Sequence, residues 1–392
     1  MSTEETSAPV PAAPVAPPRS AWRMALGWWL WSKAFLMIIG WFTFAILPTG
    51  PLGHKAYPVW LNIWARWDSA WFVRVAEQGY VHGWPQNAAF FPLYPLLIRG
   101  GQLLVPGSSP YLWATVVAWV ADYALLYYFI VWLNRDWSPS WTNRAVAAMV
   151  LFPTAFFFSV AYSEALFLAL VLAAFYYARR DQWLWTGVAG FLAALTRNEG
   201  PLLAIPLALE YLQQHGRQWS PKVWGLAGPV AGGLAYMAYL QAVGRGAFYF
   251  MTAEKLGWDR TTVWPWDGLK AALATLYHDP HIGSPVFTYT AIDLTSALLL
   301  LGLCGYMIRH RYRWSYIAWS LLVVVIPLSS VVPPYYSPIV SMSRLILPAF
   351  PMYVALAELA ERSSFWKRTT TWLFPGAQAL FFAFWILFYW IA

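Results

Sequence analysis

The chain has little charge and almost no cysteine. Only 11% of its 392 residues are Asp, Glu, Lys or Arg, against about 25% in an ordinary soluble domain. The lone cysteine, Cys304, lies inside an apolar run. An internal disulfide and a thiolate metal cage are thereby excluded, and the thiol is expected to be inert. The motifs G-x-x-x-x-G-K, G-x-S-x-G and H-E-x-x-H are missing, so P-loop nucleotide chemistry and serine or zinc hydrolysis have no support. The apolar runs do not alternate with period two, which argues against a β-barrel.

What is there is oil and aromatic rings. Hydrophobic residues make up 60% of the chain, with 28 Trp and 23 Tyr. A globular core of this size cannot hide that much apolar surface, so the solvent is lipid. Amphipathic rings suit the membrane interfaces and the half-wet wall of a pocket. The composition therefore predicts an all-α polytopic membrane protein. A net charge of +8 would suggest nucleic acid in a soluble protein. Here the basic residues fall in short clusters between apolar runs, which is a topology signal, and no nucleic-acid partner is expected.

Residues 1–20 are rich in Pro and Ala and read as a disordered cytoplasmic tail, followed by one transmembrane domain over 21–392. Runs of span length are expected at 24–47, 111–133, 145–161, 163–178, 183–197, 199–213, 223–243, 288–308, 314–328, 344–360 and 371–391, about eleven in all. The stretch 87–105 is short and carries Pro92, Pro95 and Arg99. It is expected to lie as a juxtamembrane or re-entrant helix. With that choice Arg19, Arg23, Arg135, Arg144, Arg179, Arg180, Arg217, Lys222, Arg309, Arg311, Arg313, Arg362, Lys367 and Arg368 collect on one side, in short connectors. That side is read as the cytoplasm, amino terminus included, in a multi-pass protein of the cell (plasma) membrane. The large loops 48–110 and 244–287, with 329–343, then face outward. Asp68, Glu77, Glu164, Glu254, Asp259, Asp267, Asp279 and Arg344 share that outer side.

Each charged station has a plain reading and a chemical one. Trp67, Trp71 and Val75 at helical spacing predict an amphipathic interfacial helix over 64–78. Asp68 either caps its first turn or, beside tryptophans at a partly dry boundary, acts as a tuned general base. Glu77 lies nine residues on, about 13 Å along a helix, too far to act on the same atom. Glu164 opens a helix, where it complements the dipole or shapes an acceptor pocket. Arg197, Asn198 and Glu199 form a tight connector whose charges are expected to pair with each other or with a neighbouring helix. Lys255 and Arg260, beside tryptophans, suit an anionic ligand and a sugar ring. His278, Asp279 and His281 match no closed zinc set. Arg344 at a helix start either snorkels or clamps a phosphate head group.

Taken in order, Arg66-Trp67-Asp68 leading to Ala76-Glu77-Gln78-Gly79-Tyr80, then Ala89-Phe90-Phe91-Pro92, then Ser159-Val160-Ala161-Tyr162-Ser163-Glu164-Ala165-Leu166-Phe167, then Thr196-Arg197-Asn198-Glu199-Gly200 resemble the PIG-V family of mannosyltransferases. The likeness is dense over about 60–205 and loose beyond, and the tail and short loops read as those of a prokaryotic homologue. It implies the GT-C glycosyltransferase fold, with juxtamembrane helices in a large first external loop and a polyprenyl-phosphate sugar as donor. It also implies Asp68 as the catalytic acid, with Glu77, Glu164, Arg197 and Asn198 in matching motifs.

The expectation is thus an inverting mannosyl transfer on the external face, from polyprenyl-phosphate mannose to a glycolipid or glycan acceptor. Asp68 would be the base, and Arg344 with Lys255 or Arg260 would stabilise the leaving phosphate. Tryptophans such as Trp67 and Trp71 would line the sugar subsite. No metal or other cofactor is expected. The competing reading is a transporter or flippase of lipid-linked sugars, which would call for an inverted repeat and acids buried mid-span. No repeat is visible, and Asp122 and Asp293 are the acids well inside apolar runs.

Overall fold

Apolar runs this dense fold as helices, and in the computed structural model 75% of the protein is helical. Residues 21–48, 59–81, 84–218, 220–333 and 337–391 are described; the expected tail 1–20 lies outside them. Among the described residues four helices are long and apolar enough to cross a membrane: Ala21–Ile46, Pro110–Leu133, Pro221–Ala242 and Pro285–Arg309. Glu164–Ala178, Trp183–Ala194 and Trp314–Leu328 are shorter apolar helices.

Three of the other expected spans are interrupted, and proline is the reason, since its ring clashes with the preceding turn and it lacks an N–H. The run 145–161 becomes the helix Pro139–Val150, stopping short of Pro153, and then a 3-10 turn Ala155–Phe158. The run 199–213 divides into a 3-10 turn Gly200–Leu203 holding Pro201 and the helix Ala204–His215. The run 344–360 divides at Pro348 into Met342–Leu345 and Pro351–Arg362. The run 371–391 is unbroken at its start: Ser364–Arg368 continues through a π turn, Thr369–Leu373, into Phe374–Ile386. The expected eleven spans are therefore not eleven unbroken helices. The stretch 87–105 forms Leu93–Leu104, about 18 Å long against a hydrocarbon core of about 30 Å, which suits the non-crossing expectation.

At the centre, Pro110–Leu133 packs against Glu164–Ala178, Ala21–Ile46 and Leu93–Leu104, and Glu164–Ala178 packs against Trp183–Ala194. Small residues permit the next contact. A Cβ on Gly228 would lie 2.0 Å from the carbonyl oxygen of Gly187, and one on Gly232 2.3 Å from that of Phe191. The backbones of the two helices meet there, as small residues allow between membrane helices.

The expected loop 244–287 is mostly ordered. It holds the helices Tyr249–Trp258 and Pro265–His278, joined through a two-residue strand, Thr261–Thr262, antiparallel to Ser330–Val331. This ribbon ties loop 244–287 to loop 329–343.

A charge the sequence reading passed over sits inside the first long helix. Lys33 is 7% exposed; its ammonium is paired with Asp122 and donates to Ser159 Oγ at 2.7 Å. Lys33→Met alone strands the Asp122 carboxylate in an apolar setting. The expected cost is about 3–5 kcal/mol, with Lys33→Met/Asp122→Leu recovering most of it, read as melting temperatures in detergent micelles. Equal losses in the single and double variants would contradict this account.

Candidate active site

The segment expected as one interfacial helix over 64–78 is built differently. Its helix is Ser69–Gln78, with Phe72, Val73, Val75 and Ala76 buried against protein rather than laid on an interface. The break comes at Trp67, whose φ of 52° is left-handed, a costly conformation for a bulky residue. Arg66 holds the break: it is 5% exposed and donates to the carbonyls of Ile386 (3.0 Å), Ala65 (3.0 Å) and Asn62.

Asp68 stands at the capping position yet makes no side-chain capping bond. Its Oδ2 instead accepts from Arg344 at 2.7 Å, and its N–H donates to the Tyr162 hydroxyl at 3.1 Å. The plain capping reading of Asp68 is thus replaced by a long-range ion pair.

Arg344 belongs to a chain of charges. Its Nε lies 3.5 Å from Oε1 of Glu164, the same atom that accepts from Arg197 at 2.9 Å. Arg197 also pairs with Glu199, at 3.2 and 3.3 Å. Glu164 is 2% exposed, and its Oε2 has no hydrogen-bond partner among the described residues. The Arg344 guanidinium carbon also lies over the rings of Tyr162 (5.3 Å) and Phe157 (5.4 Å). Position follows from local folding. Glu164 starts its helix, Arg197 sits in the turn after Trp183–Ala194, and Arg344 lies in Met342–Leu345. That short helix is anchored on both sides. The Ser343 N–H donates to Asp293 at 3.2 Å, and the Ser343 carbonyl accepts from Thr154 at 2.7 Å. Snorkelling does not describe an arginine held in this way.

These groups line a cavity of about 810 Å³. Asp68, Glu164, Arg197, Asn198, Lys255, Arg260 and Arg344, all expected at a site, are on its wall. Arg260 is occupied by Glu254 (3.1 Å) and Ser330 (3.4 Å). Burial outweighs the Arg260 guanidinium and pushes the Glu254 carboxyl above the usual glutamate range, the carboxylates of Glu199 and Asp68 adding to the push. Lys255 lines the cavity, is exposed, and forms no ion pair among the described residues. It is a mobile point charge facing a cavity whose arginines are already engaged.

Three expected residues stand apart from the cavity wall. Glu77 is exposed on the outer face of Ser69–Gln78 and does not line the cavity. Trp67 and Trp71 do not line it either. Trp71 supports the residues that do, stacking on Phe90 (5.8 Å, 10°) and tilting against Trp258 (6.0 Å). Trp67 packs against Phe388 and Trp390. Sequence reasoning missed Tyr162, Phe72 and Trp390, which line the wall; Tyr162 lies within the motif at 159–167, whereas Trp390 gives no local signal. No group of three or more His, Cys, Asp or Glu able to hold a metal occurs among the described residues, and Asp279 bonds His281 and Ser284, each at 2.8 Å.

A partly buried acid paired with an arginine, a buried carboxylate spanning two arginines and an unpaired lysine can move one proton and stabilise a departing anion. Residues 55–204 match the family model Mannosyltransferase (PIG-V). Arg344, Lys255 and Arg260 lie beyond the match, and no curated protein matches the chain. Over that matched segment, which carries Asp68, Glu164, Arg197 and Asn198, the chain is similar to the PIG-V mannosyltransferases, and its apolar helices are those of a membrane protein.

Proposed function

We propose that the protein transfers mannose from polyprenyl-phosphate mannose to a hydroxyl of a lipid or glycan acceptor, with inversion. The observation that carries this reading is the Asp68–Arg344 pair on the wall of the cavity. The acceptor O–H gives its proton to the Asp68 carboxylate as the oxygen bonds to the anomeric carbon. The bond from that carbon to the phosphate oxygen breaks, and the phosphate departs with the electron pair. No other cofactor enters these steps. Arg344 stabilises the charge building on the phosphate, with Lys255 as the first cation the donor meets. Asp68 and the phosphate compete for the same guanidinium. Donor arrival therefore draws Arg344 from Asp68 and leaves the carboxylate free to take a proton.

The distribution of basic connectors supports a cytoplasmic amino terminus and an outward-facing cavity in the plasma membrane. The flippase reading loses its footing at the buried acids. Asp122 is committed to Lys33, and Asp293 to the backbone of Ser343.

Proteoliposomes given radiolabelled polyprenyl-phosphate mannose and membrane acceptor lipids test the reading. Labelled product supports it, and label that crosses the bilayer with no product formed overturns it in favour of the flippase. In the same assay Lys255→Ala is expected to raise the donor KM about tenfold with kcat nearly kept, the pattern of lost ground-state binding. A fall in kcat at unchanged KM would remove Lys255 from donor capture.

A further inference from the structure

Resting on Asp68 as the base beside the transferred sugar, we propose that Trp390 forms a wall of the donor-sugar subsite, its ring taking the C–H face of the hexose. The chain just ahead of Asp68 puts it there. Arg66 donates to the carbonyl of Ile386, which ends the helix Phe374–Ile386, and its guanidinium lies 4.8 Å from the Phe388 ring. Phe388 turns the chain with a φ of 66°. Trp67 then meets Phe388 at 5.7 Å and Trp390 edge-on at 5.1 Å and 82°. The two residues before the catalytic acid are thus spent on holding segment 386–390, and the product of that effort is a partly exposed indole on the cavity wall.

The chemistry of the wall selects the ligand. Around the Asp68–Arg344 pair the cavity wall also carries rings, Phe72, Tyr162 and Trp390, while Lys255 and Arg260 come from another segment. An aromatic face is the negative pole of the ring quadrupole. It gains nothing from a phosphate, whereas an uncharged pyranose offers it a face of C–H groups with partial positive charge. The transferred hexose is also the ring that must lie beside Asp68, because its anomeric carbon receives the oxygen that Asp68 deprotonates.

The test compares, in detergent micelles, the binding of undecaprenyl-phosphate mannose with that of sugar-free undecaprenyl phosphate. The wild-type protein is expected to prefer the sugar-bearing lipid. Trp390→Ala is expected to lose about tenfold of that preference while binding the sugar-free lipid as the wild type does, and Trp390→Phe to keep most of it. A preference fully retained in Trp390→Ala, or both lipids weakened alike, overturns the proposal. A wild-type protein with no preference overturns the donor reading itself, a result distinct from either. If Trp390→Ala does not fold, Trp390→Leu, with apolar bulk and no ring, carries the same comparison.

Discussion

Asp68→Asn is expected to slow mannosyl transfer about 10²–10⁴-fold, the range for loss of a general base, without weakening donor binding, since the phosphate no longer competes with a carboxylate for Arg344. Asparagine keeps the shape and one acceptor for Arg344 but cannot take the acceptor proton at neutral pH. Were Asp68 only a helix cap, removing it would cost about 1 kcal/mol of stability and leave the rate alone; the structure shows no capping bond to lose. Single-turnover transfer in proteoliposomes measures the chemical step. Glu77→Gln is the matched control: its carboxylate is exposed away from the cavity, and it should stay within about twofold of the wild type. Full activity in Asp68→Asn would end the proposed mechanism.

Arg344→Ala carries the second large effect, a fall of about 10²–10³-fold in kcat, comparable to removing one preorganised donor from a developing anion. The loss has two sources. The guanidinium proposed to meet the leaving phosphate is gone, and Asp68 and Glu164, at 2.7 and 3.5 Å from it, lose the cation between them. Arg344→Lys restores the charge but not the fork, because a single ammonium cannot reproduce planar contacts to two carboxylates. It should recover only part of the rate. Guanidinium ion at millimolar concentration should rescue Arg344→Ala more than Arg344→Lys. Wild-type activity in Arg344→Lys would reduce Arg344 to a source of positive potential.

How far the site was legible depended on how local its signals were. Asp68, Glu164 and the 197–199 turn lie in compact motifs inside the segment that matches the family model. Their residue types and order were enough to bring them forward. The pairing of Glu164 with Arg197 was within reach, since both open or close tight connectors at the same ends of neighbouring helices. The junction of Asp68 with Arg344 was not, because nothing in either local sequence specifies a partner 276 residues away.

Helix limits were misread for a related reason. Hydropathy marks where lipid or core surrounds the chain but does not register where Pro153, Pro201 and Pro348 interrupt it. The interfacial helix over 64–78 was a pattern correctly seen and wrongly placed, because its start depends on the strained turn at Trp67 and on Arg66 reaching the last long helix. Lys33 escaped notice because a single cation in an apolar run looks like noise until Asp122 is set beside it.

The separation of Asp68 from Arg344 also orders events during biosynthesis. At about 5–20 residues per second, residue 344 leaves the ribosome roughly 15–55 s after residue 68, whereas Glu164 waits only a few seconds for Arg197, 33 residues later. A chain arrested after residue 204 but before residue 344 already holds the whole of segment 55–204, yet its acid has no Arg344 guanidinium to hold it and its cavity lacks a wall. On the proposed mechanism the nascent protein is therefore silent until its final third has been inserted, and an abandoned translation product transfers no sugar.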